Sequence, residues 1–282
     1  MNPFASSVMV GFVVALGGPV VAQALPDAAM SCAGPKVQGG FLICSLPADA
    51  STYTLVSSTG MKVEISGEHP ALIPFGRNAD LQVSLTVEGQ PDIPPTRFTL
   101  EAGAWAIERI DGLPPSKVTP RTPEQQQKVA ADWTKKQTAW SHRAPASWFA
   151  DGFVEPVVAS RTSGVYGSQR ILNGTPRNPH LGLDFAAPTG TKIIAPATAK
   201  VVLAEPDMYF EGGLLVLDHG AGVMSVMLHL SRIDVRVGEQ VEQGQTIGAV
   251  GMTGRATGPH LHWGIKVRDT YINPRLVLDF SN

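Results

Sequence analysis

The sequence predicts a mostly β protein with a smaller N-terminal β-sandwich domain, a helical linker and a larger C-terminal β domain. Glycine and proline are abundant, at 29 and 23 of the 282 residues, which favours short strands joined by turns over long helices. With 43% hydrophobic and 16% charged residues, the chain is long and apolar enough for two domains with their own cores. The formal net charge is only -2, so the charge balance does not indicate a nucleic-acid partner.

Residues 1–24 are predicted to be an export signal that is removed from the mature protein. An apolar run extends over residues 8–21, and the following Ala22-Gln23-Ala24 has the A-x-A pattern of a cleavage site. The run is too short and too interrupted by glycine and proline for a stable membrane span. We therefore expect a periplasmic or secreted protein that meets the membrane only through this signal. The alternatives are an N-terminal membrane anchor or a buried helix, because residues 1–4 lack lysine and arginine.

Cys32 and Cys44 are the only cysteines of the chain, and both follow the predicted cleavage site. In an oxidising compartment such a pair can close a disulfide across neighbouring strands. Two buried free thiols are the alternative. Neither cysteine is close in sequence to the histidine cluster described below, so we expect no role for them in the chemistry.

Residues 25–112 are predicted to form the N-terminal β-sandwich domain. Short segments of β-rich or alternating composition recur there between turn residues. The clearest of these segments are residues 41–44, 53–56, 61–65 and 81–87. The domain shows no catalytic constellation, and His69 beside Pro70 is expected in a solvent-facing loop.

Residues 113–145 are predicted to form a linker that begins rich in proline and continues as a helix. Thr122 suits the N-cap, Pro123 the first helical position and Gln125 the capping-box partner. The polar first half of the helix indicates an arm packed on the domains instead of a core helix. Its large apolar residues can share one face: Val129, Trp133 and Trp140.

Residues 146–282 contain a histidine pair on one face of a predicted strand. Apolar residues alternate from Leu261 to Val267, which places His260 and His262 together on the opposite face. Both imidazoles then project into whatever this face encloses. An H-x-H pattern is a weak signal by itself, and two solvated histidines on an amphipathic strand are the alternative.

A second group of metal-ligand type consists of His180 and Asp184. Pro179 and Gly182 argue against a helix, so we expect an extended segment with a bend at Gly182. Residues four apart on a strand share a face, so this imidazole and carboxylate can bind one ion. Two imidazoles and a carboxylate are typical ligands of catalytic zinc, with a fourth position left for water. The alternative is a surface loop with an incidental histidine and aspartate.

Three further histidines have less specific surroundings. His229 lies between apolar residues on a predicted strand, which is usual for a core histidine with a satisfied hydrogen bond. It becomes a catalytic candidate because the other residues of a hydrolytic site are present. His219 lies at a strand end beside a turn and is predicted to be structural, and His142 at the end of the linker helix is predicted to be exposed.

The motifs H-x-x-x-D at residues 180–184, H-L-S at 229–231 and G-P-H-L-H at 258–262 occur in an order that resembles the lysostaphin/LytM-type zinc endopeptidases. These enzymes cleave peptide cross-links in bacterial cell walls. The resemblance runs from about residue 147 to near the C-terminus, and the N-terminal β domain is similar to that of exported proteobacterial members. It implies a C-terminal domain of mostly antiparallel β structure with a groove over the zinc.

The resemblance implies one Zn²⁺ per chain, bound by His180, Asp184 and His262, with His229 and His260 as catalytic histidines that do not bind the metal. The residues by themselves leave open which member of the H-x-H pair binds the metal. One catalytic histidine would take the proton of the attacking water and the other would stabilise the oxyanion. Which histidine has which role stays open. Family members often have tyrosine at the position of Met227.

The implied substrates are the stem peptides of peptidoglycan. The bond that is cleaved, in D-Ala–diaminopimelate cross-links or in glycine bridges, depends on groove loops and stays open, as do protein partners and oligomeric state. Two alternatives are a wall-binding regulator that activates other hydrolases and a peptidase that is autoinhibited by its N-terminal region. The complete set of ligand residues favours the enzyme.

Overall fold

A computed structural model of the chain describes residues 30–113, 115, 119, 122–158 and 160–281. The export signal predicted at residues 1–24 lies outside these described residues. Within them, the chain forms 21 strands in five sheets, two α-helices and one 3₁₀ helix, so the prediction of a mostly β protein is confirmed. Neither of these α-helices is long and apolar enough to cross a membrane.

Seven strands form the N-terminal β-sandwich. In chain order they are β1 (Ser31–Ala33), β2 (Phe41–Ser45), β3 (Tyr53–Ser57), β4 (Lys62–Ile65), β5 (Ala71–Pro74), β6 (Gln82–Val87) and β7 (Thr96–Thr99). One antiparallel sheet has the strand order β1-β2-β5 and the other has the order β4-β3-β6-β7. Buried residues of both sheets, such as Leu42 and Leu55, share one apolar core, as expected of a sandwich.

The two cysteines join neighbouring strands of this sandwich. Cys32 in β1 lies directly opposite Cys44 in β2, and the two side chains form a disulfide. Cys44 is completely buried in the sandwich core. The disulfide, and not a pair of free thiols, is therefore the state of these residues in the structure.

Between the sandwich and the C-terminal part, the chain forms strand β8 (Ile107–Ile110), helix α1 (Pro123–Trp140) and a 3₁₀ helix (Trp148–Asp151). The predicted start of α1 is confirmed. The Thr122 side chain accepts a hydrogen bond from the Gln125 backbone N–H, and the Gln125 side chain accepts one from the Thr122 backbone N–H. These reciprocal bonds satisfy two backbone donors that the first turn of the helix leaves free.

Thirteen strands and helix α2 (Pro274–Ser281) form the C-terminal part. The strands are β9 (Arg161–Gly164), β10 (Gln169–Leu172), β11 (Thr175–Pro176), β12 (Leu183–Ala186), β13 (Lys192–Ile194), β14 (Ala199–Met208), β15 (Gly212–Asp218), β16 (Val223–Leu230), β17 (Arg232–Ile233), β18 (Gln240–Val241), β19 (Thr246–Ala249), β20 (His260–Val267) and β21 (Thr270–Ile272). The central sheet has the order β18-β14-β15-β16-β20-β12-β9, with β21 beside β20, and every pairing in it is antiparallel. The antiparallel architecture that the resemblance implied is confirmed.

Other elements cover both faces of the central sheet. On one face, Leu261 and Trp263 of β20 pack in a core with Ile193 and Ile247 of the small sheet β13-β19-β17. On the opposite face, Ala139 of α1 packs against residues of β14, β15 and β16. The position of α1 as an arm on the surface of the sheet agrees with its polar sequence.

The packed side of α1 differs in part from the predicted apolar face. Asp132 and Ala139 are its buried residues, whereas the ring of Trp133 is 50% exposed and meets Trp140 edge-on. The buried carboxylate of Asp132 accepts a hydrogen bond from Lys128 Nζ at 2.6 Å. It accepts a second one, at 2.7 Å, from the backbone N–H of Tyr209, which lies between β14 and β15. A polar contact therefore anchors the helix where the sequence suggested an apolar one.

The N-terminal sandwich packs directly on the C-terminal part. Phe41 and Leu72 are buried in the core of the C-terminal part, and the ring of Phe41 meets that of Phe280 edge-on at a centroid distance of 5.5 Å. Strand β8 also pairs in parallel with β10, which in turn pairs with β11. The domain boundaries at residues 112 and 145 stay predictions, and β8 forms its sheet with strands from beyond both.

Candidate metal centre and active site

Strands β12 and β20 place an aspartate and a histidine side by side. Asp184 of β12 lies directly opposite His262 of β20 in the antiparallel register. Directly paired residues of neighbouring strands point to the same face of a sheet, so both side chains project to one side. Leu261 and Trp263, which alternate with the histidines, are fully buried on the other face. The predicted alternation along β20 is confirmed.

His180 reaches the same point from the bend that precedes β12. Its Nε2 lies 2.9 Å from Asp184 Oδ1 and 2.9 Å from His262 Nδ1, and His262 Nδ1 lies 2.8 Å from the same Oδ1. Among the described residues, this trio is the group of histidine, cysteine and acidic side chains whose ligand atoms converge within 4.8 Å. The structure thus brings together the three residues that were predicted to bind zinc.

The donor chemistry of this trio fits a zinc ion. The Nδ1–H of His180 donates to the backbone carbonyl of Val165 at 2.9 Å, which leaves Nε2 with its lone pair facing the other two groups. Two imidazole nitrogens and one carboxylate oxygen around one point are a usual ligand set for catalytic zinc. His180, Asp184 and His262 are the residues that would hold the ion.

Electrostatics keep Asp184 and His262 in the protonation states that metal binding needs. Burial by itself would raise the pKa of Asp184, but the facing nitrogens of His180 and His262 outweigh burial and hold this pKa below its usual range. Burial lowers the pKa of His262 to about 4, against the opposing influence of Asp184. At neutral pH the carboxyl group is therefore ionised and His262 is neutral.

Arg170 holds the second oxygen of the aspartate. Its Nη2 donates to Asp184 Oδ2 at 3.1 Å, and its Nε donates to Glu108 Oε2 at 3.0 Å. Oδ2 is thus directed to the guanidinium while Oδ1 faces the two histidines. Neither Arg170 nor Glu108 is predicted by the sequence, because neither belongs to a motif and β8 and β12 are far apart in the chain.

Two glycines leave the space that these ligands occupy. A Cβ atom at Gly164 would lie 2.3 Å from Asp184 Oδ2, and one at Gly182 would lie 2.6 Å from His262 Nε2. Distances below 3.0 Å force a shift of one partner. The bend predicted at Gly182 is confirmed. The glycine also leaves space for the imidazole of His262, which only the packing of the side chains reveals.

His229 and His260 lie beside the trio, with their rings 4.8 Å apart. The Nδ1–H of His229 donates to the carbonyl of Thr253, and that of His260 donates to the carbonyl of Gly258, each at 2.8 Å. In the neutral form of each ring, this contact places the proton on Nδ1 and leaves Nε2 as the free nitrogen. Burial, followed by the charge of His260, lowers the pKa of His229 to about 3, so His229 is neutral and able to accept a proton at neutral pH.

The backbone of His229 has an uncommon conformation at the end of β16. Its φ is +69°, in the left-handed region that residues other than glycine rarely adopt. Such backbone strain is found most often at functional sites. Met227, at the position where the resembling family often has tyrosine, is fully buried in the core and does not reach the histidines.

Two cavities meet at the histidine cluster. The first, here called the histidine cavity, has a volume of about 270 Å³. Its walls include Glu108, Arg161, Arg170, Asp184, His229, Arg255 and His260. The second, here called the helix cavity, measures about 930 Å³ and lies between α1 and the trio. Its walls include Trp140, Arg170, Arg177, His180, Phe210, Arg255, His262 and Tyr271.

Comparison with known proteins agrees with this geometry. The sequence model of Peptidase family M23 matches residues 178–274. A crystal structure described as a peptidase M23 from Pseudomonas aeruginosa superposes with a TM-score of 0.64 at 27% identity, and the match covers 86% of this chain and 95% of that one. Residues 178–274 of this chain therefore resemble the peptidase domain of family M23. All five predicted site residues lie in the matched segment, whereas Arg170 and Glu108 lie before it.

Curated relatives share the M23 domain over part of their length. The peptidoglycan DD-endopeptidase ShyA of Vibrio cholerae is 41% identical over 114 residues, which are 40% of this chain and 26% of ShyA. The DD-carboxypeptidase/endopeptidase Mpg of Neisseria meningitidis is 34% identical over 121 residues, 43% of this chain and 28% of Mpg. The matched region therefore spans about a quarter of the length of these relatives.

The remaining histidines of the M23 domain and its surroundings do not contact the trio. His219 is completely buried, and its Nδ1–H donates to the Thr198 carbonyl while Nε2 accepts from Ser225 Oγ, as expected of a structural histidine. His142 is exposed as predicted, but its ring also contacts the buried carboxylate of Asp218 at 2.6 Å. The exposed His69 agrees with the prediction as well.

Proposed function

We propose that this chain is a zinc-dependent endopeptidase that hydrolyses peptide cross-links of bacterial peptidoglycan in the periplasm or outside the cell. One observation carries the proposal. His180, Asp184 and His262 converge at one point, and His229 and His260 stand beside them on the wall of a cavity. The name of the relative ShyA, a peptidoglycan DD-endopeptidase, supports peptidoglycan as the substrate.

His180, Asp184 and His262 would hold the zinc ion. When bound, zinc polarises the scissile carbonyl and lowers the pKa of water to about 7. Arg170 orients the carboxylate of Asp184 through Oδ2, and Val165 orients His180 through Nδ1. Outer contacts of this kind fix the direction of ligand side chains and typically change metal affinity 10- to 100-fold when they are removed.

His229 and His260 would move the protons of the reaction. Each has Nδ1–H bonded to a backbone carbonyl, so Nε2 is the atom that accepts a proton from the attacking water and returns one to the leaving amine. The second of the two rings would stabilise the oxyanion of the tetrahedral intermediate in its protonated form, in which Nε2–H is a donor. The two histidines have equivalent hydrogen bonding at Nδ1, so we assign the pair, and not one member, to the two roles.

The ligand set argues against a regulator that only binds the cell wall. Such a protein needs neither three convergent ligands nor a strained histidine beside them. In an autoinhibited peptidase the N-terminal region would cover the site, so the zinc-loaded full chain would have low activity.

Metal content and peptidoglycan digestion of the full chain test the proposal together. The purified protein is expected to bind one zinc ion and to release muropeptides that mass spectrometry identifies as cleaved cross-links. The His180→Ala variant should lose both zinc and activity, whereas the control His69→Ala, changed at an exposed loop histidine, should retain both. Normal digestion by a folded His180→Ala protein would contradict the proposal.

A further inference from the structure

Strand β9 places an arginine in line with one of the candidate catalytic histidines. In the antiparallel register, Ala186 of β12 lies directly opposite His260 of β20 on one side and Arg161 of β9 on the other. Directly paired residues of neighbouring strands point to the same face of a sheet. All three residues line the histidine cavity. Arg161 therefore faces His260 across Ala186.

The space between Arg161 and His260 is open to the cavity. Neighbouring strands lie about 4.8 Å apart, so two strand spacings, or about 10 Å, separate the backbones of these residues. The side chain between them is the small methyl group of Ala186, which lines the same cavity. A peptide that passes over Ala186 would thus have an imidazole on one side and a guanidinium on the other.

The Arg161 side chain is accessible to a ligand. The residue is exposed, and β9 is the last strand of the central sheet, so no further strand of that sheet covers it. Arg161 forms no ion pair with a carboxylate of the described residues. Its guanidinium is always charged and carries five N–H donors. It can therefore bind an anionic acceptor without first losing a partner of this kind.

The wall of the histidine cavity has an excess of positive charge. Besides its histidines, the ionisable residues of this wall are Glu108, Arg161, Arg170, Asp184 and Arg255. Both carboxylates accept hydrogen bonds from Arg170, which occupies that arginine. Arg161 takes no part in these bonds. The cavity thus favours a ligand with a negative charge, and Arg161 is the accessible donor that faces His260.

We propose that Arg161 is a specificity-determining residue, which binds a carboxylate on the residue that carries the leaving amine of the substrate. The proposal rests on the proposed peptidase function. In a D-Ala–diaminopimelate cross-link, the carbon bonded to the scissile nitrogen also carries a free carboxylate, whereas a glycine bridge has no carboxylate there. A guanidinium can hold a carboxylate through two parallel N–H···O bonds. Arg161 therefore favours the diaminopimelate cross-link over the glycine bridge.

Calorimetric binding of two product peptides to the zinc-loaded full chain tests this role. Both probes are the tripeptide L-Ala–γ-D-Glu–diaminopimelate, with the carboxyl group beside the side-chain amine either free or amidated. The free acid is expected to bind about tenfold more tightly, as for a charge-assisted hydrogen bond that water partly screens. Arg161→Gln should abolish this preference. The control Arg97→Gln, which removes an exposed charge of β7, should leave it unchanged.

A second neutral variant and the melting temperature guard against misfolding as an explanation. Arg161 is exposed, so Arg161→Gln and Arg161→Met are both expected to melt at the temperature of the parent protein. Equal binding of acid and amide by the parent protein would overturn the proposal. A preference that survives in either folded variant would overturn it as well, because the carboxylate would then bind elsewhere, for example at the zinc or at Arg255.

Digestion of peptidoglycan, measured in parallel, separates this inference from the proposed function. If the parent protein prefers the acid through Arg161 but digests nothing, the carboxylate site stands and the peptidase is contradicted. If it digests peptidoglycan but binds acid and amide equally, the peptidase stands and the role of Arg161 is contradicted.

Discussion

Three of the five candidate site residues are oriented by a hydrogen bond to a backbone carbonyl. His180, His229 and His260 each donate Nδ1–H to such a carbonyl, at 2.8–2.9 Å. This contact selects the tautomer in which Nε2 is the free nitrogen. Backbone carbonyls, and not carboxylates, therefore orient these three rings so that the lone pair of Nε2 is free.

Replacing His229 by alanine is expected to remove most turnover and to leave zinc bound. The His229 ring lies 6.5 Å from the His262 ring, and its nitrogens are not part of the converging ligand atoms. Loss of a general acid–base group typically lowers the rate by about 100- to 10000-fold. Zinc content and the rate of muropeptide release measure the two effects. Loss of zinc in a folded His229→Ala protein would place His229 among the ligands and disprove its assignment.

His219 is expected to make the protein less stable as the pH falls from about 6.5 to 4. Burial lowers the pKa of His219 to about 4 from 6.5, so in this range the unfolded chain binds a proton that the folded chain does not. Stability from this histidine is complete above pH 6.5, and the loss reaches on the order of 3 kcal/mol near pH 4.

The His219→Gln variant isolates this effect. Glutamine supplies one donor and one acceptor for Thr198 and Ser225 but does not titrate. Urea unfolding at pH 7 and at pH 4.5 should show a smaller pH-dependent loss for the variant than for the parent protein. An identical loss in both proteins would show that His219 is not the cause.

At the scale of the elements, the site depends on the pairing of β12 with β20 and on the position of α1. The register that sets Asp184 opposite His262 brings together residues 78 positions apart. Trp140 of helix α1 forms part of the wall of the helix cavity. The helix contacts the sheet through the apolar packing of Ala139 and the hydrogen bond of Asp132. An element with so few buried residues depends more than a core helix on its own capping.

Thr122→Ala is expected to destabilise the first turns of α1 by about 0.5–2 kcal/mol, because it removes the N-cap acceptor of the Gln125 N–H. Amide hydrogen exchange of α1 should become faster in its N-terminal half. The control is Thr134→Ala in the same helix, where alanine has the better helix propensity and exchange should be unchanged or slower. Unchanged exchange in Thr122→Ala would mean that tertiary packing alone holds this end of the helix.

At the scale of the whole molecule, the N-terminal part contributes directly to the site. Glu108 of β8 holds Arg170, which in turn holds Asp184, and Glu108 also lines the histidine cavity. Phe41 and Leu72 of the sandwich are buried in the core of the C-terminal part. The sandwich therefore shares a core with the C-terminal part, and β8 shares with it the wall of the histidine cavity.

Removal of residues 1–112 is expected to lower the melting temperature of the remaining chain. The deletion exposes the apolar surface that Phe41 and Leu72 cover, and burial of one such side chain contributes about 1.5–3 kcal/mol. Scanning calorimetry of the full and shortened chains measures the difference. The melting temperature of the full chain with Val87→Ala serves as the comparison, because this substitution changes only the sandwich core. An unchanged melting temperature after the deletion would show that the two parts are energetically independent.

The sequence by itself determined the class of the fold, the start of α1 and the alternation along β20, and its motifs predicted the five candidate residues of the site through a family resemblance. These features are local: capping, period-two alternation and motif spacing depend on residues close together in the chain. The tertiary structure decided the rest. Only long-range pairing and packing could direct Arg170 to Asp184 and bury the Asp132 side chain of α1 against the Tyr209 backbone. Such contacts depend on which distant segments meet, and no pattern within one segment encodes this.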